Sequence, residues 1–283
     1  MLDERALSFD CEGEQLVGIV SLPAEPVTRG VLIVVGGPQY RAGSHRQFTL
    51  LARDLAAAGI PAMRFDYRGM GDSEGDLQNF DNVDDDLRAA IDRFFAEVPG
   101  LQEVVLWGLC DGASAAAMYA PQDARVAGLV LLNPWVRTAE GQARATIKHY
   151  YRDRLFDAGL WKKIGSGQFD VKGSVRSLCE NVSKAFASKS APEVQANAAD
   201  APLPERMQGA LSRFGGRVLV VLSGADLTAQ EFADLTSRPG SWQRLLAAPR
   251  FTRQQIDKAD HTFSRRPWQD QVSDWTRDWL RSW

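Results

Sequence analysis

The stretch VVLWGLCDGASAA, Val104 to Ala116, holds the residues best placed to do chemistry. Glycines stand two positions before and two after Cys110, at the end of a β-branched apolar run and ahead of small residues. That frame marks a sharp strand-to-helix turn that presents a nucleophile, usually a serine. Here the central residue is a thiol. A nucleophile at such a turn needs a base, and the base needs an acid to orient it. The chain has three histidines, so the choice is narrow. His261, in KADHTFSRR, follows the last strand pattern, and Asp226, in VLVVLSGADLTAQ, follows the one before it. The predicted catalytic set is therefore Cys110, Asp226 and His261, in the chain order nucleophile, acid, base. Asp234 is the weaker rival for the acid. His45 and His149 read as structural or substrate-facing. The plainer alternatives are an inert core thiol at Cys110, a strand-end cap at His261 and a turn aspartate at Asp226.

Acyl chemistry also needs donors for a tetrahedral oxyanion. One is expected from the backbone N–H of Asp111, immediately after the thiol. The other is expected from the loop Gly36-Gly37-Pro38-Gln39. Pro38 has no N–H, which leaves Gln39 or, second, Gly37; the alternative is a plain tight turn. Trp135, His45 and Tyr40 are the candidate substrate-binding residues. The loop Asp66-Tyr67-Arg68-Gly69-Met70-Gly71-Asp72-Ser73 has charges suited to bracing neighbouring loops.

These residues must be positioned by a scaffold, and the pattern around them alternates strand and helix. RALSFDCEGEQLVGIVSLP predicts a hairpin turning at Glu12-Gly13. GVLIVVGG, IPAMRFDYRG, EVVLWG and VAGLVLLNPW are short apolar runs of the kind buried in a parallel sheet. HRQFTLLARDLAAAG predicts a helix with Ser44 as N-cap and Gly59 as its stop. NVDDDLRAAIDRFFAEVPG predicts another, with acidic residues in the first turn. The sheet resumes at GGRVLVVLSG and RFTRQQIDKA, and WQDQVSDWTRDWLRSW closes the chain as an amphipathic helix. Such alternation indicates an α/β fold with a mostly parallel central sheet and flanking helices.

The rhythm breaks between. Residues 136–214 are expected to form a helical cap inserted into a core of residues 1–135 and 215–283. Val171, Val175, Leu178, Val182 and Phe186 fall on one helical face, and 190–204 reads as a linker. Residues 137–189 carry 11 Lys and Arg against 5 Asp and Glu. The whole chain is -3. A basic cap would attract an anionic acyl substrate, with Trp135, Phe156, Trp161 and Phe186 as acyl-pocket candidates. The alternative is a solvated helix pair with aromatic core residues.

At 283 residues, 45% hydrophobic and 24% charged, the chain is an ordinary globular protein. Its charge gives no reason to expect nucleic acid, and no apolar run approaches the roughly 18 residues that span a bilayer. The acidic start MLDERALSFDCEGEQ has no apolar signal core. Three cysteines cannot all pair and show no metal spacing. The expectation is a cytoplasmic protein without cofactor, acting on a small-molecule acyl substrate, with a homodimer left open.

The sequence resembles the α/β-hydrolase superfamily over nearly its whole length, on FDYRGMGDSEG, GLCDG, SGAD and DHTF. More narrowly it resembles the exosortase A system-associated hydrolases of type 1, on GGPQYRAGSHRQF, FDYRGMGDSEGD, LWGLCDGASAA, LNPWVRT and LSGADLTAQEF. That resemblance implies an α/β-hydrolase fold, the three site positions and a setting beside exopolysaccharide and protein-sorting machinery. The chain departs from the wider superfamily in having cysteine for serine and Gly-Gly-Pro for the usual His-Gly. Dienelactone hydrolases carry a cysteine triad on a similar fold. A thiolate is both a good nucleophile and a good leaving group, so activated acyl groups are favoured: thioesters, lactones, enol or aryl esters. The leading expectation is a cysteine-dependent hydrolase of such bonds. An acyltransferase using the same triad, and a non-catalytic binding module, are the alternatives.

Overall fold

In the computed structural model, residues 3–25, 28–37, 39–136 and 201–283 are described. The cap expected at 136–214, with its helical face and the candidates His149, Phe156, Trp161 and Phe186, lies almost wholly outside them. The chain divides into two compact units, residues 1–136 with 205–283, and residues 137–204. The first unit is a single eight-stranded sheet with helices on both faces.

The strands are β1 (Asp3–Cys11), β2 (Glu14–Leu22), β3 (Arg29–Val34), β4 (Ala62–Phe65), β5 (Glu103–Leu109), β6 (Val126–Leu132), β7 (Arg217–Ser223) and β8 (Phe251–Ile256). Their order across the sheet is β1-β2-β4-β3-β5-β6-β7-β8. The first two strands form the expected hairpin, with Glu12 and Gly13 in the left-handed region at its turn. It joins the sheet antiparallel through β4, and every pairing from β4 to β8 is parallel. The helices are α1 (Gln47–Ala57), α2 (Asp84–Glu97), α3 (Asp111–Tyr119), α4 (Leu203–Arg213), α5 (Leu227–Ser237), α6 (Ser241–Leu246) and α7 (Arg266–Arg281).

Side chains alternate across a strand, and the central strands feed two hydrophobic layers. Leu32, Val34, Val104, Leu106 and Leu129 pack on the α2–α3 side. Val31, Ile33, Val105, Trp107, Leu109 and Val130 pack with α1 and α7 on the other. Apolar residues on both faces explain why these strands read as continuous runs. On α7, Val272, Thr276, Trp279 and Leu280 are buried, with Trp268 and Trp275 packed at the edge. Trp107 Nε1 donates to Thr276 Oγ1 at 3.3 Å, tying the closing helix to β5. Arg29 stacks 3.6 Å over the Trp283 ring and donates to two carbonyls at the end of the chain.

Two local expectations change. Ser44 is not the N-cap of α1: that helix begins at Gln47 after Arg46 in a left-handed conformation, and the Ser44 N–H donates to Gln39 Oε1 at 3.2 Å. Residues 44–46 form a separate single turn, with His45 also at positive φ. The core unit also resumes at Glu205, ahead of Gly215, because Met207, Ala210 and Leu211 of α4 and the following Phe214 are buried in the α2–α3 layer. Among the described residues, no helix is long and apolar enough to cross a membrane.

Candidate active site

The strand order turns back at β3, which has β4 on one side and β5 on the other. Loops leaving the carboxyl ends of strands around such a point form the crevice where open α/β sheets bind ligands. Cys110 lies there, between the end of β5 and the start of α3, with φ 60 and ψ −124. This is a strained conformation for a residue with a Cβ. It is held from all sides. Cys110 N–H donates to the Leu132 carbonyl at 2.9 Å, and the Cys110 carbonyl accepts from Ala113 N–H at 3.1 Å and Trp135 N–H at 3.2 Å. Ser114 Oγ donates to the Trp135 carbonyl at 2.6 Å.

The glycine frame has a steric cause. A Cβ on Gly108 would stand 2.5 Å from the Gly112 carbonyl oxygen, and one on Gly112 would stand 2.6 Å from that of Val34. The turn closes only when both side chains are absent. It places the half-buried thiol at the N-terminus of α3, where the helix dipole favours negative charge.

His261 and Asp226 are brought together. Asp226 caps α5, accepting from Ala229 N–H at 3.0 Å, and the same Oδ2 lies 2.9 Å from His261 Nδ1. The imidazole is pushed up to about 10, first by its hydrogen bond with Asp226, then by one with Cys110; burial opposes both. His261 thus stands between an acid and a thiol. Asp226, and not Asp234, is the carboxylate facing its ring.

Two residues that sequence reasoning passed over fix this arrangement. Buried Asn133, after β6, has Nδ2 2.9 Å from both the His261 carbonyl and Ser223 Oγ, while its Oδ1 accepts from Ser223 N–H at 2.8 Å. Ser223 Oγ in turn donates to the Asp260 carbonyl at 2.8 Å. The ends of β6 and β7 and the histidine loop are therefore cross-linked by two side chains. Asn133 adopts φ 43, within reach of asparagine more than of most residues. The signal was present in LLNPW and LSGAD, as polar residues directly ending apolar runs.

On the other side of the thiol, the Asp111 side chain is turned inward. Burial raises its pKa, opposed by the backbone N–H groups of Gly37, Gly112 and Asp111 itself. The Gly112 contact is 3.0 Å. The Gly37 N–H, second choice as an oxyanion donor, thus faces a protein carboxylate. Gln39 anchors its side chain on Ser44. Tyr40 is 53% exposed. His45 lies near Asp260, beside the histidine loop. Trp135 is half-buried, its backbone beneath the thiol turn.

The charged loop after β4 braces the rim. Buried Asp66 pairs with Arg41, and Arg68 pairs with buried Asp86 of α2 at 2.8 Å. Asp66 also accepts from Arg41 N–H at 2.6 Å and Asp72 N–H at 3.1 Å. The loop after β3 is so tied to the loop after β4.

Comparison with known proteins fits this architecture. Solved structures similar over nearly the whole chain include the Pyrococcus furiosus esterase Pf2001, at 14% identity and TM-score 0.66, covering 100% of this chain and 91% of that one. A dienelactone hydrolase from Anabaena variabilis matches at 15% identity and TM-score 0.62, covering 100% and 98%. Est1E from Butyrivibrio proteoclasticus, solved with ferulic acid, matches at 15% and 0.62, covering 98% of each. At these identities the likeness establishes the α/β-hydrolase fold. No curated protein matches the sequence. A family model described as serine aminopeptidase, S33, matches residues 27–209, which takes in the thiol turn and stops short of Asp226 and His261. The chain therefore belongs to this hydrolase family, Hydrolase_4 (serine aminopeptidase, S33).

Proposed function

We propose that the protein hydrolyses an activated ester, thioester or lactone through an acyl-cysteine intermediate, with Cys110 as nucleophile, His261 as proton carrier and Asp226 as its orienting acid. The observation that carries this reading is the position of the His261 imidazole, hydrogen-bonded to Asp226 at 2.9 Å and close enough to the Cys110 side chain for that group to raise its pKa. Such an imidazole, pushed up to about 10, can carry the proton between the thiol and the departing group.

In the first half-reaction the sulfur attacks the acyl carbon and the carbonyl electron pair moves to oxygen. The Gln39 N–H receives that oxyanion, joined by the Asp111 N–H once the Asp111 carboxylate that faces it turns away. As the carbonyl re-forms, the bond to the leaving group breaks, and imidazolium Nε2–H protonates the departing oxygen or sulfur. In the second half-reaction, neutral His261 takes a proton from water as the water attacks the thioester. The Cys110–acyl bond breaks, and the sulfur leaves as the anion that the imidazolium stabilises. Sulfur is the better leaving group of the two possible exits from a tetrahedral adduct on an alkyl ester. Substrates with leaving groups at least as good as a thiolate are therefore preferred.

The motifs GGPQYRAGSHRQF and LSGADLTAQEF support placing the protein with the exosortase A system-associated hydrolases of type 1. The excess of basic residues in 137–189 supports an anionic substrate, and a free catalytic thiol suits the reducing cytoplasm. The test is competition between iodoacetamide and a short acyl thioester. Alkylation of Cys110 should abolish turnover in proportion to its extent, and substrate should slow alkylation. Turnover that persists after complete labelling of Cys110 overturns the reading. Turnover that rises severalfold with an added hydroxyl or amine acceptor identifies acyl transfer as the natural second half-reaction.

A further inference from the structure

Beside the thiol turn is a cavity of about 450 Å³ that the reaction above leaves unused. Val35, Met70, Leu77 and Phe80 give it apolar walls, and Tyr67 and Asp111 also line it. Leu77 is 71% exposed, unusual for a leucine with an apolar cavity at hand. Tyr67 is only 4% exposed, and its hydroxyl has no hydrogen-bond partner among the described residues. Buried hydroxyl groups are rarely left without a partner. The neighbouring carboxylates are Asp111 and Asp86, which together with burial push the phenol well above its ordinary range and keep it a neutral O–H. Asp86 is taken up by Arg68. Asp111 accepts from the backbone N–H groups of Gly37, Gly112 and Asp111 itself and feels the charge of His261, but among the described residues it forms no ion pair.

The unpartnered phenol O–H and the remaining lone pairs of the carboxylate are complementary. A phenol O–H offers a donor, and a carboxylate offers an acceptor. One group that satisfies both is a hydroxyl, which accepts from the first and donates to the second. A ligand carbonyl has nothing to donate to Asp111, a ligand carboxylate is repelled by it, and an ammonium cannot accept from Tyr67. The four apolar walls call for an aliphatic body behind that hydroxyl.

We infer that this cavity seats a hydroxyl-bearing aliphatic part of the substrate, with its hydroxyl held between Tyr67 Oη and the Asp111 carboxylate. The inference rests on the acyl-cysteine reading for its place in the reaction, because Asp111 lines the cavity and directly follows Cys110 in the thiol turn. A hydroxyl fixed there selects the substrate and orients the acyl carbon relative to Cys110.

Two matched sets of substrates test it: p-nitrophenyl hydroxyalkanoates against alkanoates, and hydroxyalkyl against alkyl thioacetates. In one set the hydroxylated member should have kcat/KM about tenfold higher, the discrimination expected of one hydrogen bond to a charged group. In Tyr67→Phe that ratio should fall severalfold, because the phenol donor is lost while the Asp111 acceptor remains. The variant loses only an unpartnered O–H, so its melting temperature should equal or exceed the parent's. Calorimetric binding of the matching hydroxyalkanoyl and alkanoyl anilides to Cys110→Ala reads the cavity without thiol chemistry. It separates failure of the cavity from failure of the mechanism. No preference in either set and in the anilides, or a preference undiminished in Tyr67→Phe, overturns the inference.

Discussion

Two cysteines at two strand ends show what the thiol turn adds. Cys11 closes β1 at the hairpin, 4% exposed in the α2–α3 layer. Burial, then the Asp86 carboxylate, pushes its thiol up to about 11. It is a small apolar filler. Cys110 follows β5, where positive φ, a helix N-terminus and the nearby His261 imidazole surround a half-buried thiol. The residue type is the same, and the strand ends lie in the same sheet. The difference is made by backbone: Gly108 and Gly112 let the chain turn sharply enough to push one thiol out of the core.

The largest predicted effect breaks that contrast directly. Cys110→Ala should lower kcat/KM by roughly 10⁴-fold or more, since the proposed mechanism then loses its covalent nucleophile. Cys11→Ala should leave kcat/KM within about twofold and cost about 1 kcal/mol of stability, as a small buried group is lost. Urea unfolding and steady-state kinetics on both variants check the pair. Next comes Asp226→Asn, which should reduce kcat by about 10²–10⁴-fold, because the ring loses its orienting charge. Its burial pattern and the α5 cap through Ala229 should survive, so circular dichroism should stay unchanged.

The same variant carries a pH signature. His261 titrates near 10 in the folded protein against 6.5 for an unperturbed imidazole. The native state therefore holds the proton more tightly, and the stability this contributes is complete below pH 6.5 and lost as pH rises to about 10. Melting temperature measured from pH 6 to 10 should fall more steeply for the parent than for Asp226→Asn, in which the main cause of the raised value is gone. A parallel fall in both contradicts the coupling. The smallest effect concerns the frame. Gly112→Ala should cost about 1–3 kcal/mol, because its Cβ meets the Val34 carbonyl at 2.6 Å and backbone must shift. An unchanged midpoint of denaturation would show that the turn is not sterically set.

Much of this was legible in the sequence where the signal was local. A glycine two residues either side of Cys110, and Asp226 just after the apolar run VLVVLSGA, mark strand ends without reference to the rest of the chain. The residues that escaped notice act at a distance. Asn133 and Ser223 are 90 positions apart, and only the β6–β7 pairing makes them one network. The inward turn of the Asp111 carboxylate depends on Gly37, a loop and several elements away. Ser44 looked like a cap because its residue type suits one. The structure uses its backbone N–H instead, and starts α1 from a left-handed Arg46. The short helix α6 and the half-exposed edge strand β8 have too few apolar positions for periodicity to define their limits.

The central claim is that Cys110, not another residue, carries the acyl group. The direct measurement is an acid-quenched reaction with p-nitrophenyl acetate, digested and read by peptide mass. The account predicts an acetyl adduct on the peptide containing Cys110, none on the peptide containing Cys11, and a p-nitrophenol burst that disappears in Cys110→Ala. A full burst with Cys110 unmodified, or one retained in Cys110→Ala, contradicts it.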